Sequence, residues 1–144
     1  MDVKNYIIRQ ISVFSENKPG RLASIAKAFL EEKINILAFS IAEADGFGVV
    51  RALVNQPDKA FTKLTALGYN VAFTDVIAVK MKDQPGGLFE IADLLGDAGI
   101  NMEYAYAYSG KEAAVLIIRV DHVDEAVSRI LSKGGTLLEA KVFI

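Results

Sequence analysis

The chain repeats itself. Shifted by 66 residues, segment 10–78 aligns with 76–144 without a gap and gives fifteen identical pairs. Among them are Pro19/Pro85, Gly20/Gly86, Leu22/Leu88, Ile25/Ile91, Ile34/Ile100, Asn35/Asn101, Asp58/Asp124 and Gly68/Gly134. Self-similarity at a fixed period means one supersecondary unit used more than once. The 144 residues are therefore read as two small modules, not as one ordinary domain.

Each copy has the same punctuation. Residues 7–14 and 76–81 are β-rich runs followed by a Pro-Gly turn, Pro19-Gly20 or Pro85-Gly86. Leu22, Ile25, Ala26 and Phe29 then recur at helical spacing, as do Leu88, Ile91, Ala92 and Leu95. Strands are expected at 34–42 and 49–54 in the first copy, and at 100–108 and 113–120 in the second. Second helices open after Pro57-Asp58 and Val123-Asp124 and stop at Gly68 and Gly134, which favour a left-handed exit. Final strands are expected at 70–79 and 136–144. Asp45-Gly46 and Ser109-Gly110 read as hairpin turns.

The order is βαββαβ, twice. This predicts an α+β protein of two ferredoxin-like modules, each an antiparallel sheet with its helices on one face, packed as an intrachain pseudo-dimer. The modules are expected at 1–74 and 75–144. No linker separates them, so a strand around 71–81 is expected to be shared and to join the two sheets rigidly.

Composition removes several function classes. There is no cysteine, so disulfide scaffolds, thiol chemistry and zinc ribbons are excluded, and the single His122 builds no multi-histidine metal centre. A net charge of -2 lacks the basic footprint of nucleic-acid binding. No apolar run reaches the roughly 20 residues of a membrane span, and the N-terminus has no signal-peptide core. The expectation is a cytoplasmic protein with no metal, no cofactor and no catalytic residues. One histidine and scattered surface acids assemble no general acid, base or activated nucleophile. Gly46-Phe47-Gly48 lies between two strands and is no dinucleotide fingerprint.

The turns carry what chemistry there is. Glycine lets backbone approach a ligand closely, and the N–H groups opening the next helix suit a carboxylate. Asn17 or Asp83 accepts from an ammonium group, and Asn35 and Asn101 add an amide donor and acceptor. Together these complement a free α-amino acid. Against this, a Pro-Gly turn before a helix is by itself only a turn, and an asparagine at a strand start commonly serves the turn. Retention in both copies favours the ligand, although folding needs retain residues too.

The pattern of strand, Glu/Asp-Asn/Asp-x-Pro-Gly-x-Leu, helix and Ile-Asn strand resembles the ACT domain, a small-molecule-sensing module attached to many enzymes of amino-acid metabolism. Ser15–Leu22 with Lys33–Ile36 carries the likeness in the first copy, and Asp83–Leu88 with Ala98–Met102 in the second. The likeness covers nearly the whole chain. It implies a non-catalytic regulatory protein that binds an amino acid at the interface between tandem modules. By resemblance, Asn17, Pro19, Gly20, Arg21, Leu22 and Asn35 form one site. Asp83, Pro85, Gly86, Gly87, Leu88 and Asn101 form its counterpart. The copies differ, with Arg21 against Gly87 and Ser15 against Met81. The partners implied are an amino-acid ligand and either further copies of the chain or a partner enzyme. The alternative reading is an assembly module for such an enzyme, with empty sites.

A second asymmetry lies in the strands. Tyr104, Tyr106 and Tyr108 stand on one parity where the first copy has Ala38, Ser40 and Ala42. Packing at an interface is favoured for this stripe over direct ligand contact. His122 reads as a capping or solvated residue.

Overall fold

The first strand is buried on both faces. In the computed structural model, which describes residues 2–109 and 114–144, β1 (Ile8–Glu16) buries Ile11 and Val13 on one side and Gln10 and Ser12 on the other. There follow α1 (Arg21–Glu31), β2 (Ile36–Ala44), β3 (Phe47–Val54), α2 (Pro57–Ala66) and β4 (Asn70–Met81). The second half holds α3 (Gly87–Asp97), β5 (Met102–Ser109), β6 (Ala114–Val120) and α4 (Val123–Ser132). The expected Ser109-Gly110 turn, and Ala113 at the start of its strand, extend outside the described residues. The alternation of strands and helices is the expected α+β arrangement.

The first module comprises Arg9–Thr74 with Phe143–Ile144. Here β3 is antiparallel to both β1 and β2, with Glu16 opposite Phe47 and Ile36 opposite Val54. Ile25 and Phe29 of α1 and Leu64 of α2 meet Ile11 and Val13 of β1 and Ala52 of β3 in one core. Both helices thus lie on one face. Each fully buried Ile, Leu or Phe contributes about 1.5–3 kcal/mol relative to exposure. Pro57 opens α2 at a position where a missing N–H costs little, with Asp58 in the positively polarised first turn. The ring of Phe61 stacks on Phe73 at 4.7 Å, and the Arg9 guanidinium lies 4.6 Å from the Phe73 ring centre.

The second module comprises Asp75–Val142 with the N-terminal residues through Ile8. Residues 77–81 of β4 pair antiparallel with β6, which pairs on its other side with β5. Ile77, Ile91, Leu95, Ile118, Val127 and Ile130 form the core. Strand β4 is a single element whose residues through Thr74 group with the first module and from Asp75 with the second.

The chain ends differ from the expectation. In place of a strand over 136–144, Leu137 forms an isolated bridge to Val79, held by Lys80 N–H donating to Thr136 O and Leu138 N–H donating to Ala78 O, each at 2.9 Å. A 3-10 turn, Ala140–Phe143, then breaks the ladder, closed by Val142 N–H donating to Glu139 O at 3.1 Å. The reason is burial: Leu137 and Phe143 are each 6% exposed, but Phe143 groups with the first module. At the other end an unexpected 3-10 helix, Val3–Tyr6, is capped by Asp2, whose carboxylate accepts from Lys4 N–H at 3.0 Å. Its Val3 and Tyr6 pack on the second module's core.

Glycine is placed where the backbone demands it. Gly68 and Gly134 end α2 and α4 at φ +90° and +82°, as the pattern predicts. The Asp45-Gly46 hairpin is left-handed at both residues, with φ +51° and +83°.

Candidate functional site

The turns before α1 and α3 have the same geometry. Gly20 and Gly86 are the residues that cap these helices, at φ +89° and +92°, and neither supplies a side chain to the first-turn N–H groups. A Cβ at either position would meet nothing within 4 Å. Backbone conformation, not crowding, is what requires glycine there. Arg21 N–H donates to Lys18 O and Gly87 N–H to Gln84 O, so both turns close the same way. Asn17 N–H donates to Gly46 O at 2.9 Å, fastening the first turn to the β2–β3 hairpin.

Beside each turn lies a cleft. That of the second module measures about 710 Å³ and runs from Lys80–Gln84 past Glu90 and Leu94 of α3 to Lys133–Thr136 beyond α4. That of the first measures about 530 Å³ and runs from Phe14–Glu16 past Arg21 and Ser24 to Leu67–Asn70 beyond α2. Their walls are repeat equivalents: Glu16 matches Lys82, Arg21 matches Gly87, Ser24 matches Glu90, and Gly68 matches Gly134. Both volumes fall in the range of small-molecule sites.

The electrostatics are local. Lys18 pairs with Glu16, and its ammonium holds the Glu16 carboxyl below the usual range through a hydrogen bond and charge attraction. Lys82 lies 3.7 Å from Glu90. On β5 burial pushes the Tyr108 phenol up.

Of the residues expected at the site, Arg21 borders the first cleft, and Asp83 and Gly87 the second. Asn17, Pro19, Gly20, Pro85 and Gly86 are exposed in the same turns. Leu88 is exposed on α3, and Leu22 borders a separate apolar cavity of about 110 Å³ with Ile25, Phe29 and Phe39. Asn35 and Asn101 lie elsewhere. Since Ile36 faces Val54 while Glu16 faces Phe47, Asn35 stands at the end of its module opposite the Pro-Gly turn. Its backbone is used structurally: Asn35 N–H donates to Asn55 Oδ1 at 2.9 Å, and Asn55 N–H returns to Asn35 O at 3.2 Å. Asn101 and Asp121 repeat that exchange at 3.0 and 3.2 Å.

Sequence reasoning missed the far wall of each cleft. Lys133 and Thr136, like Leu67 and Tyr69, reach the turn only through the packing of α4 or α2. The identical Gly68/Gly134 pair marks the spot, but locally it signals only a helix stop. His122 opens α4 with an exposed side chain that makes no cap bond. The tyrosine stripe does share one face. Tyr104, Tyr106 and Tyr108 stand opposite Arg119, Ile117 and Val115 and are half-buried, while Ala105 and Ala107 are exposed. Among the described residues no helix is long and apolar enough to cross a membrane.

A βαββαβ module and a second in which the Leu137 bridge stands for the last strand, each with a left-handed glycine turn beside a cleft, define a duplicated ferredoxin-like regulatory fold. The sequence pattern of the ACT domain pair matches residues 6–143, and the chain belongs to that family. Protein BT0572 from Bacteroides thetaiotaomicron is 33% identical, with 94% of each chain covered and a TM-score of 0.89. The regulatory subunit of aspartate kinase from Thermus thermophilus, in its ligand-free form, is 13% identical, with a TM-score of 0.65 over 90% of this chain and 94% of that one. That of Thermus flavus is 13% identical, with a TM-score of 0.60 over 88% and 92%. At such identities the two subunits demonstrate likeness of fold. No curated protein matches the sequence.

Proposed function

We propose that this ACT domain pair is a non-catalytic regulatory protein of the cytoplasm that binds a free amino acid beside its Pro-Gly turns. One observation carries the reading: the same left-handed turn, with open space over its glycine, stands beside a cleft at repeat-equivalent positions in both modules. The first turns of α1 and α3, which no side chain caps, favour a carboxylate at the N–H groups beyond Arg21 and Gly87. Asn17 or Asp83 accepts from the ammonium group.

Thermal unfolding with each common amino acid tests this. A ligand at a hundredfold its dissociation constant adds about 2.7 kcal/mol. A raised midpoint with at least one amino acid, lost when Gly20 and Gly86 are replaced by leucine in a folded variant, supports the reading. No shift with any of them overturns it.

A second reading, an assembly module for a partner enzyme, is favoured by strand β2. It pairs only with β3 among the described strands, and Phe39 and Ile41 on it are 52% and 44% exposed. Capture of a partner independent of any amino acid distinguishes it.

A further inference from the structure

The first module holds a cavity of about 110 Å³ whose walls are apolar residues alone. Leu22, Ile25, Ala26 and Phe29 line it at helical spacing on α1, and Ile36 and Phe39 of β2 close its other side. Phe39 pairs with Ala52 and Ile41 with Val50, and both β3 residues lie in the core beneath the helices. Phe39 and Ile41 therefore stand on the sheet face that carries α1. Ile25, Phe29 and Ala52 are each 1% exposed, whereas Leu22 and Phe39 are 38% and 52% exposed and form the rim. A space so lined offers water no polar partner, and an apolar cavity of about 150 Å³ stays dry and takes benzene. The smaller volume here matches a branched aliphatic group and falls short of an indole.

The same stretch of chain holds groups for the rest of an amino acid. Arg21 N–H donates to Lys18 O and Ser24 N–H to Gly20 O, which leaves the N–H groups of Leu22 and Ala23 between them for a carboxylate. Leu22 thus gives its N–H to the turn and its side chain to the cavity. The repeat supplies the contrast. Ala105 pairs with Ile118 where Phe39 pairs with Ala52, and Ala107 stands in the place of Ile41. Both alanines are exposed, and a methyl group does not build the wall that Phe39 builds in the first module.

We propose that the first module binds an amino acid with a branched aliphatic side chain, an inference that rests on the reading of the protein as an amino-acid binder. The side chain fills the cavity between α1 and β2, and the carboxylate meets the N–H groups of Leu22 and Ala23. The second module, with Ala105 in place of Phe39, does not select that ligand.

Isothermal titration calorimetry of the full chain with L-leucine, L-isoleucine, L-valine, L-alanine, L-tryptophan, L-glutamate and L-lysine tests this. The expected result is one site per chain for a branched aliphatic amino acid, at least tenfold tighter than for L-alanine, because each further buried methylene adds to binding. Ala26→Leu, which fills the cavity, and Phe39→Ala, which removes its rim, should each weaken that binding at least tenfold. Circular dichroism checks their folding, and Ala26→Val replaces Ala26→Leu if the latter does not fold. Equal affinity for L-alanine, two equal sites per chain, or unchanged affinity in either folded variant overturns the inference. Sedimentation velocity reads the other occupant of this face: a changed oligomeric state in Phe39→Ala with unchanged ligand affinity assigns the rim to a second copy and also overturns it. If another amino acid binds and no branched aliphatic one does, the inference falls while the amino-acid reading stands. If no common amino acid binds, both fall.

Discussion

A Cβ built on Gly87 lies 2.1 Å from the carbonyl oxygen of Lys82. No real side chain tolerates that approach, so the second turn is closed by contact as well as by conformation. At Gly86, one residue earlier, the same Cβ would meet nothing within 4 Å and only the left-handed φ matters. Gly86→Ala should therefore cost about 1–2 kcal/mol, the penalty of a left-handed L-residue. Gly87→Ala should cost more, adding about 1–3 kcal/mol of overpacking. Urea unfolding of the two variants ranks them; equal midpoints would contradict the contact.

Gln10 is fully buried, and its Nε2 donates to Ser12 Oγ at 3.1 Å, which in turn meets Thr74 Oγ1 at 3.1 Å. At the equivalent places the second module has Val76 and Ala78, both fully buried. Ser12→Ala alone should cost about 0.5–1.5 kcal/mol by removing the hydroxyl to which the buried Gln10 amide donates. Adding Gln10→Val, which copies the second module, should recover much of that loss. A double variant no better than the single one would show that the polar pair is needed for more than its mutual satisfaction.

The reciprocal bridges at Asn35/Asn55 and Asn101/Asp121 use side chains of the later residue and only backbone of the earlier one. Asn55→Ala and Asp121→Ala should each cost about 0.5–1.5 kcal/mol. Asn35→Ala and Asn101→Ala should stay within about 0.5 kcal/mol of the parent. Chemical denaturation measures all four. A loss of amino-acid binding in Asn101→Ala without loss of stability would assign its side chain to the ligand.

Two groups set the pH response. The carboxyl of Glu16, lowered by its hydrogen bond and attraction to Lys18, stabilises the fold above the ordinary glutamate pKa. Its contribution is lost as pH falls through the lower folded value. Tyr108, raised by burial, contributes below the ordinary tyrosine pKa and loses that contribution as pH rises through the higher folded value. Carbon-detected NMR should show Glu16 titrating below the ordinary glutamate value, with Lys18→Gln moving it back up. Ultraviolet titration should show a tyrosine ionising above the ordinary tyrosine range, and its loss in Tyr108→Phe assigns it.

The period, the βαββα order of both copies and the two turns were legible because each rests on local rules. Glycine is demanded by a positive φ at Gly20, Gly86, Gly68 and Gly134, and helix faces announce themselves by spacing. What the pattern concealed depends on residues far apart in the chain. The last nine residues look like a strand, yet after Leu137 the ladder gives way to a 3-10 turn that takes Phe143 to the first module's group. Burial of one side chain outweighs local β propensity there.

By itself, then, the sequence determined a duplicated ferredoxin-like module with a glycine turn before its first helix, because periodicity and backbone sterics act over a few residues. The tertiary structure decided what faces that turn. Lys133 and Thr136 border the second cleft only because α4 packs on Ile77, Val79 and Ile91. In the first module the same packing of α2 brings Leu67 and Tyr69 to the equivalent place. Helix packing, which no local rule specifies, set residues 133–136 across the cleft from one turn and residues 67–70 across from the other.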